Sequence, residues 1–201
     1  MPLQSRVSPF GELFASPARG TLMGNRGGRL HGAGKTLGTR RWASRQWICC
    51  ELEFNNRQRK VWGDSYTELF FLDEVTAFAA GHRPCFECRR EDANKFAALF
   101  AGNAKRAGAP AMDMILHAER LDGKAKRMHK RTIDTLPDGA MIALDGKAFA
   151  VRGKNLLAWT PSGYAQVLPR PCGIAVAMLT PPSIAAVLKA GYAPRWRPSA
   201  C

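Results

Sequence analysis

Residues 47–72 carry a strand-like pattern of apolar and polar positions. Within 47–54, every second residue is apolar, beginning with Ile48 and Cys50, and the residues between them would point to the opposite face. This alternation predicts a strand. Residues 55–58 have the composition of a turn, and 59–62 follow as a return strand. Residues 66–72 form a third extended segment. The pattern therefore predicts a small set of short strands in this part of the chain.

The helical periodicity begins directly after these strands. Asp73 is placed to cap a short helix over 74–80, which Gly81 ends. Apolar positions three and four apart predict a second helix near 91–101 and a third over about 112–121. The residues predicted to form the apolar face of that third helix are Met114, Ile115, Ala118 and Leu121.

From residue 140 onwards the period changes to that of short strands. Two apolar segments, 140–144 and 148–152, flank Asp145-Gly-Lys147, which is a strong hairpin signal. Further strands over 156–160 and 166–168 complete a small β-meander, and a closing helix is predicted from Ser183 through Lys189, ending at Gly191.

Residues 1–46 show no sustained period. They are rich in Gly, Pro, Ser and Arg, and the run 19–29 in particular has neither a helical nor a strand pattern. We therefore predict a basic Gly/Arg-rich arm or loop, whose glycines allow backbone N–H groups to approach a ligand closely. The P-loop spacing is absent, so a nucleotide-binding P-loop is not expected.

Composition excludes two classes of protein. The chain has 201 residues, of which 46% are hydrophobic, so a wholly disordered chain is excluded. No apolar stretch approaches the ~18 residues of a membrane-spanning helix, and the N-terminus lacks the apolar core of a secretory signal. We therefore expect a cytoplasmic protein without membrane association.

The net charge of +14 is concentrated in two blocks. Residues 1–48 hold eight Lys or Arg against one acid, and residues 117–131 hold six against two. Basic blocks of this kind suit a polyanion, because neutralised phosphates release condensed counterions. Trp42 lies among the N-terminal arginines and is the best candidate for stacking on a base. The predicted nucleic-acid contacts are Arg26, Arg29, Arg40, Arg41, Trp42, Arg45, Lys124, Lys126, Arg127, Lys130 and Arg131.

The cysteines provide the clearest chemical signal. Cys85-Phe-Glu-Cys88 has the spacing of a metal knuckle, in which a tight turn directs two sulfurs at one ion. The same spacing serves redox pairs, but those open a helix after a strand, whereas this pair follows a helix, Gly81 and Pro84. The context therefore favours a zinc site over a redox site.

Residues 70–90 resemble part of a known zinc-binding domain. The aromatic pair Phe70-Phe71, the Ala-rich helix and the sequence Gly81-His-Arg-Pro-Cys85-Phe-Glu-Cys88-Arg are similar to the second half of the zinc-binding domain of Ada-type alkylation-repair proteins. The resemblance covers roughly a tenth of the chain. It implies a small zinc-organised α/β module in which Cys85 and Cys88 supply two of four ligands.

The upstream ligands depart from the Ada-type pattern, which has a C-x3-C pair where this chain has adjacent Cys49 and Cys50. Successive strand residues point to opposite faces, so one of the two can ligate and both can do so only if the strand is bulged. Cys50 with a His is one complete set, and Cys49 with Cys50 is another. The candidates for the remaining ligand are His82, His31, His117 and Cys172.

A second constellation lies on the third predicted helix. Asp113 and His117 are four residues apart and share one face, as a catalytic metal site or an acid–base pair requires. Their basic surroundings would suit a metal-dependent nuclease. A surface histidine with a local ion pair explains the same spacing and is the preferred interpretation.

The predicted fold class is α+β: a small zinc-organised α/β module followed by a β-meander with a closing helix. The predicted units are 1–46 (basic arm or loop), 47–105 (zinc-binding module), 106–139 (helix and basic connector) and 140–201 (meander and helix). The predicted function is zinc-stabilised nucleic-acid binding through phosphate contacts. The alternatives are an enzyme acting on nucleic acid (a nuclease or an Ada-like alkyl acceptor) and a protein-interaction module whose charge is incidental.

Overall fold

The computed structural model describes residues 1–57, 60–102 and 107–198. It combines helices with antiparallel and mixed sheets, so the α+β prediction is confirmed. No helix in these ranges is both long enough and apolar enough to span a membrane.

The first sheet gathers short strands from the N-terminal half of the chain. The strand order is β2-β1-β5-β3-β4-β6, and the pairs β1–β5 and β4–β6 are parallel while the others are antiparallel. The strands are β1 (Arg6–Val7), β2 (Leu13–Phe14), β3 (Leu22–Asn25), β4 (Ile48–Cys50), β5 (Leu69–Phe71) and β6 (Arg83–Pro84).

The second sheet is an extended antiparallel meander in the order β13-β12-β11-β10-β14-β9. A separate two-stranded hairpin, β7–β8, and a 3₁₀ helix (Ile133–Thr135) precede its central strands. The strands are β7 (Leu121–Asp122), β8 (Ala125–Lys126), β9 (His129–Thr132), β10 (Met141–Leu144), β11 (Lys147–Arg152), β12 (Asn155–Thr160), β13 (Gly163–Pro169) and β14 (Ala175–Met178).

Four helices complete the fold: α1 (Glu74–Ala79), α2 (Arg90–Phe100), α3 (Ala109–Arg120) and α4 (Pro182–Lys189). The three longer helices pack together through a cluster that includes Phe96, Leu116 and Ile184. Phe78 of α1 reaches the same cluster. Leu188 and Tyr192, at and beyond the end of α4, close it.

Helix α1 lies between the two sheets, and all six of its residues are buried. Val75 and Ala79 pack against the meander, whereas Ala77 packs against the first sheet. Its one carboxylate, Glu74, is satisfied in the interior: it pairs with Arg89 at 2.7 Å and accepts hydrogen bonds from Tyr192 Oη and the Arg195 backbone N–H. The two sheets are thus joined through one short helix.

Local signals placed several elements correctly. Asp73 caps α1 by accepting from Thr76 N–H at 2.9 Å, and Gly81 follows with φ of +86°. Asp145 and Gly146 both have positive φ between β10 and β11, as a two-residue type I′ hairpin turn requires. Helix α4 ends before Gly191, which also has positive φ.

Three predictions need correction. Residues 1–46 are not an arm without regular structure, because they contribute β1, β2 and β3 to the first sheet. The described part of the predicted return strand, residues 60–62, is a turn; Arg59 lies outside the described residues. Strand β4 is only three residues long and does not extend to residue 54.

The predicted inner face of α3 is also wrong. Met114 and Ile115 are exposed, whereas Met112, Asp113, Leu116 and Arg120 are buried. The apolar pattern predicted the wrong buried face because this helix buries a carboxylate and a guanidinium. Asp113 forms a bidentate ion pair with the buried Arg83, with both N···O distances 2.8 Å.

We expect Asp73→Ala to lower the free energy of unfolding by about 3 kcal/mol, because it removes a helix cap and leaves several donors without a partner. The Asp73 carboxylate accepts from the N–H and hydroxyl of Thr76, from Tyr164 Oη and from the Arg197 N–H. Urea unfolding measures the change. Asp122→Ala, at an exposed residue with a 3.5 Å ion pair to Arg127, should change it by less than about 0.5 kcal/mol. Equal effects of the two substitutions would contradict the assigned role of Asp73.

Candidate metal centre and basic pocket

The pairing of β4 with β6 brings together cysteines that are far apart in sequence. Ile48 and Cys49 lie beside Arg83 and Pro84 in parallel register. The ladder continues for one more bond, because the Cys85 N–H donates to the Cys49 carbonyl at 3.0 Å. The turn that follows β6 therefore starts next to the end of β4.

Three thiols converge at this point. The Sγ atoms of Cys50, Cys85 and Cys88 all lie within 4.8 Å of one another. Sulfurs on a tetrahedral ion with metal–sulfur bonds of about 2.3 Å are about 3.8 Å apart, so the thiols are close to the spacing that an ion requires. Cys50 and Cys85 are buried and Cys88 is partly exposed. The cluster could hold a metal ion.

The backbone supports negative charge on these sulfurs. The Glu87 N–H donates to Cys85 Sγ and the Glu51 N–H to Cys88 Sγ, both at 3.4 Å. Hydrogen bonds from the thiols of Cys50 and then Cys88 lower the pKa of Cys85, whereas hydrogen bonds to Cys85 and then Cys88 raise the pKa of Cys50. A bound ion would replace these thiol protons, and the backbone donors of Glu51 and Glu87 would still stabilise the thiolates.

Cys49 lies outside this cluster. It is fully buried on the opposite face of β4, in a core group with Leu22, Leu69 and Phe71. Burial raises the pKa of its thiol above the ordinary value. Neither ligand set left open by the sequence is assembled in full. Cys50 joins Cys85 and Cys88 without Cys49, as strand alternation requires, but no His of the described residues joins them.

The proposed fourth ligands lie elsewhere. No His, Asp, Glu or further Cys within residues 1–57, 60–102 and 107–198 comes within the same distance of all three thiols. His31 stacks on Trp62 and bonds to Thr67; Cys172 is exposed near the meander. His82 and His117 both contact Trp47, at the opposite end of the β4–β6 pair from the thiols.

A basic pocket of about 560 Å³ is the second notable feature. It brings together the two basic segments of the sequence, since Arg26, Arg41 and Trp42 line it together with Lys124 and Lys126. Lys124 and Lys126 belong to the β7–β8 hairpin, whereas Arg41 and Trp42 lie in the connection between β3 and β4. The pocket thus depends on tertiary contact between segments about eighty residues apart.

Two buried arginines form the base of the pocket with Trp47. The guanidinium carbons of Arg26 and Arg120 lie 3.8 and 4.0 Å from the centre of the Trp47 ring. Their hydrogen bonds go to neutral groups. Arg26 donates to the carbonyls of Gly11 and Arg41, and Arg120 donates to those of Gly81 and Arg45.

These cations have no carboxylate partner. None of the ion pairs among the described residues involves Arg26, Arg120 or Lys126. Burial lowers the pKa of Arg120 to about 9, although the Asp113 carboxylate acts in the opposite direction. Burial, followed by the charges of Arg26 and Arg120, lowers the pKa of Lys126 to about 7. The pocket therefore gathers basic side chains that no ion pair among the described residues neutralises.

Two buried polar atoms beside the pocket also lack a hydrogen-bond partner among the described residues. Arg120 Nε is one of them. The other is His82 Nδ1, on a fully buried ring whose Nε2 accepts from Arg26 Nε at 3.4 Å. Burial, and then the charge of Arg26, lowers the pKa of His82 well below the ordinary value, so the ring is neutral.

The other predicted nucleic-acid contacts lie outside this pocket. Arg29 and Arg40 line a separate surface depression, and Arg45 is exposed near the start of α3. Arg127 is exposed and pairs with Asp122 at 3.5 Å. Lys130 and Arg131 are exposed on β9, the edge strand of the second sheet.

The Asp113–His117 pair does not form a metal site. Both Asp113 oxygens are held by Arg83, and His117 Nδ1 accepts from Arg120 at 3.0 Å. His117 also packs against Trp42 and Trp47. The pair is therefore part of the packing of α3 against β6 and the pocket.

The sequence did not predict that Arg26 is buried or that Arg120 lines the pocket. One signal was present at Gly81. A Cβ there would lie 2.7 and 2.8 Å from Arg120 Cδ and Cβ, so only glycine permits this close approach. The positive φ of Gly81 adds a second requirement for glycine.

No family model matches the chain, and neither a curated protein nor a solved structure is significantly similar to it. The Ada-type resemblance therefore rests on residues 70–90 alone. The chemistry of the thiol cluster and of the basic pocket is the basis for assigning a function.

The adjacent cysteines provide a matched test of the metal centre. Cys50→Ala removes one of three ligands, so we expect bound metal to fall from about one ion per chain to a small fraction of that. Cys49→Ala removes a neighbouring buried thiol and should leave the metal content unchanged. Elemental mass spectrometry of protein purified without chelators measures both. Loss of metal from Cys49→Ala, with retention in Cys50→Ala, would contradict the assignment.

The lowered pKa of Lys126 predicts a pH-dependent stability. Between about pH 7 and the ordinary lysine pKa, the unfolded chain holds a proton on this residue that the folded chain has released. The stability of the wild type relative to Lys126→Met should therefore rise with pH over that window, by about 1 kcal/mol per pH unit. Urea unfolding of both proteins across the window tests this. A constant difference would show that the amino group is solvated.

Proposed function

We propose that this protein is a zinc-stabilised nucleic-acid-binding protein that makes mainly phosphate-backbone contacts. The observation that carries the proposal is the convergence of Arg41 and Trp42 with Lys124 and Lys126 on one pocket. Each segment alone is an ordinary basic surface. Their meeting gathers cations that form no ion pair with a described carboxylate, and such a basic site suits a phosphate-rich ligand.

Zinc is the metal that we propose for the Cys50, Cys85 and Cys88 cluster. A cluster of three cysteine sulfurs favours zinc over hard cations, and the Ada-type resemblance implies the same metal for Cys85 and Cys88. A solvent molecule is the simplest fourth ligand. Reduced metal-binding thiols also suit the cytoplasm, where we place the protein.

The metal would hold the framework that presents the basic residues. Met23 of β3 lies opposite Cys50 of β4, and the connection between these strands carries Arg26, Arg41 and Trp42. An ion linking Cys50 to the turn after β6 would fix the second end of that connection. Its role would thus be structural, with no need for metal chemistry on the bound nucleic acid.

At the mouth of the pocket, the exposed Arg41 and Lys124 would contact phosphates, and the half-buried Trp42 offers an aromatic surface to an unpaired base. The nuclease alternative has lost its proposed metal pair, because Asp113 is held by Arg83. The protein-interaction alternative predicts a different salt dependence and is separated from nucleic-acid binding by the following experiment.

Fluorescence anisotropy with labelled single-stranded and duplex oligonucleotides tests the proposal. We expect affinity to fall steeply between about 50 and 200 mM salt, as counterion release requires. Arg41→Glu and Lys124→Glu should each weaken binding by about tenfold or more and reduce the salt slope by about 1.

Lys154→Glu is the matched control, because Lys154 is an exposed lysine in the turn between β11 and β12, outside the pocket. It makes the same change in net charge and should alter affinity much less. Equal losses from all three substitutions would indicate a general charge effect. Absence of salt-sensitive binding by the wild type would overturn the proposal.

A further inference from the structure

The interior of the basic pocket has features that a surface contacting a continuous nucleic-acid backbone does not need. Its volume of about 560 Å³ falls within the range of about 300–1,000 Å³ that is typical of small-molecule sites. Beneath the exposed Arg41 and Lys124, it is lined by the buried Arg26 and Arg120 and by the half-buried Lys126. A groove that follows a strand would place its cations along the surface.

Two other buried arginines are neutralised by carboxylates, whereas the buried Arg6, outside the pocket, takes part in no ion pair among the described residues. Arg83 is paired with Asp113, and Arg89 is paired with Glu74 and Asp92. By contrast, Arg26 and Arg120 donate only to carbonyl oxygens and imidazole nitrogens, and Lys126 Nζ donates to the Ala79 carbonyl at 2.5 Å. A bound anion would supply the missing negative charge in a place where little water screens it.

One buried donor of a pocket-lining residue also lacks a partner among the described residues. Arg120 Nε is buried and has no hydrogen-bond partner in the part of the chain that the structure describes. A planar guanidinium is suited to oxygen atoms of a phosphoryl group, and an ammonium adds a point charge beside it. Arg120 and Lys126 both line the pocket, so both kinds of phosphate donor are present.

The walls of the pocket suit the remainder of a nucleotide. Phe10, Phe14 and Trp42 line it and are each partly exposed. Aromatic faces of this kind stack on nucleobases with little sequence preference. The pocket thus offers cations to a phosphoryl group and apolar surface to a base within one cavity.

We propose that this pocket takes a single nucleotide unit, with its phosphoryl group on Arg120 and Lys126 and its base against the aromatic wall. This inference deepens the proposed function by assigning the pocket one substrate class. The phosphoryl group is the shared chemistry of two sources, a free mononucleotide and the phosphorylated end of a strand. Glu12 is the one acidic residue that lines the pocket, and it is exposed.

The competing explanation is that Arg26 and Arg120 serve only to pack Trp47. In that case the pocket would have no preference for phosphate. Lys126 separates the two explanations, because it lines the pocket without stacking on Trp47 and can be changed with less disturbance to that packing.

Isothermal titration calorimetry with inorganic phosphate, adenosine 5′-monophosphate and adenosine tests the proposal. We expect one mononucleotide per chain, competition by inorganic phosphate and no binding of adenosine. Lys126→Met should weaken mononucleotide binding by about tenfold or more, since a charge-assisted hydrogen bond is lost. Arg127→Met, at the exposed next residue, should leave it unchanged.

Trp42→Ala provides a second variant that does not alter the buried cations. It should weaken binding of the mononucleotide but leave binding of inorganic phosphate intact. If wild type binds neither phosphate nor the mononucleotide, the proposal is overturned. Binding of adenosine as tightly as its monophosphate would overturn it as well.

Oligonucleotides that differ only in a 5′-phosphate separate the two sources. Tighter binding of the phosphorylated strand assigns the pocket to strand ends, and equal binding, together with mononucleotide binding, assigns it to free nucleotides. If oligonucleotides bind and the mononucleotide does not, the single-nucleotide inference fails while the proposed function stands. If the mononucleotide binds and oligonucleotides do not, the proposed function fails and the pocket is a site for free nucleotides.

Discussion

The parallel pairing of β4 with β6 is the constraint on which both candidate sites depend. Trp47 immediately precedes β4 and His82 immediately precedes β6, and their rings contact each other beside the basic pocket. At the other end stand Cys50 and Cys85, two members of the thiol cluster. The bonds from Arg83 N–H to the Trp47 carbonyl and from Cys85 N–H to the Cys49 carbonyl join these ends. Two sites with different chemistry are therefore built on one short ladder.

Charge is distributed around this ladder in two distinct ways. Arg83 and Arg89, which flank the cysteine turn, are neutralised by carboxylates from α1, α2 and α3. Arg26, Arg120 and Lys126, on the pocket side, are not neutralised by any described ion pair. The uncompensated charge costs stability, as the lowered pKa values of Arg120 and Lys126 indicate. The side of the ladder that carries these unpaired cations is the side on which we propose that a ligand binds.

Sequence reasoning succeeded where local chemistry determines the outcome. The cap at Asp73, the turn at Asp145 and Gly146, and the metal-knuckle spacing of Cys85 and Cys88 each depend on a few neighbouring residues. It failed where contacts with distant parts of the chain determine which residues are buried. The inner face of α3 contains Asp113 and Arg120 because Arg83 and the Trp47 ring receive them, and no periodicity of apolar residues reveals this. Likewise, β1–β3 are too short to produce an alternating pattern.

The choice between Cys49 and Cys50 depends on strand alternation and on one tertiary contact. Strand alternation predicts that only one of them joins Cys85 and Cys88, but it does not indicate which face of β4 meets the turn. The packing of α1 decides this. Ala77 and Ala80 of the helix segment occupy the face that carries Cys49, together with Leu69 and Phe71, and leave Cys50 toward Cys85. The helix that separates the two sheets thereby also determines which cysteine joins the thiol cluster, and the apolar core and the candidate metal centre are specified by the same contacts.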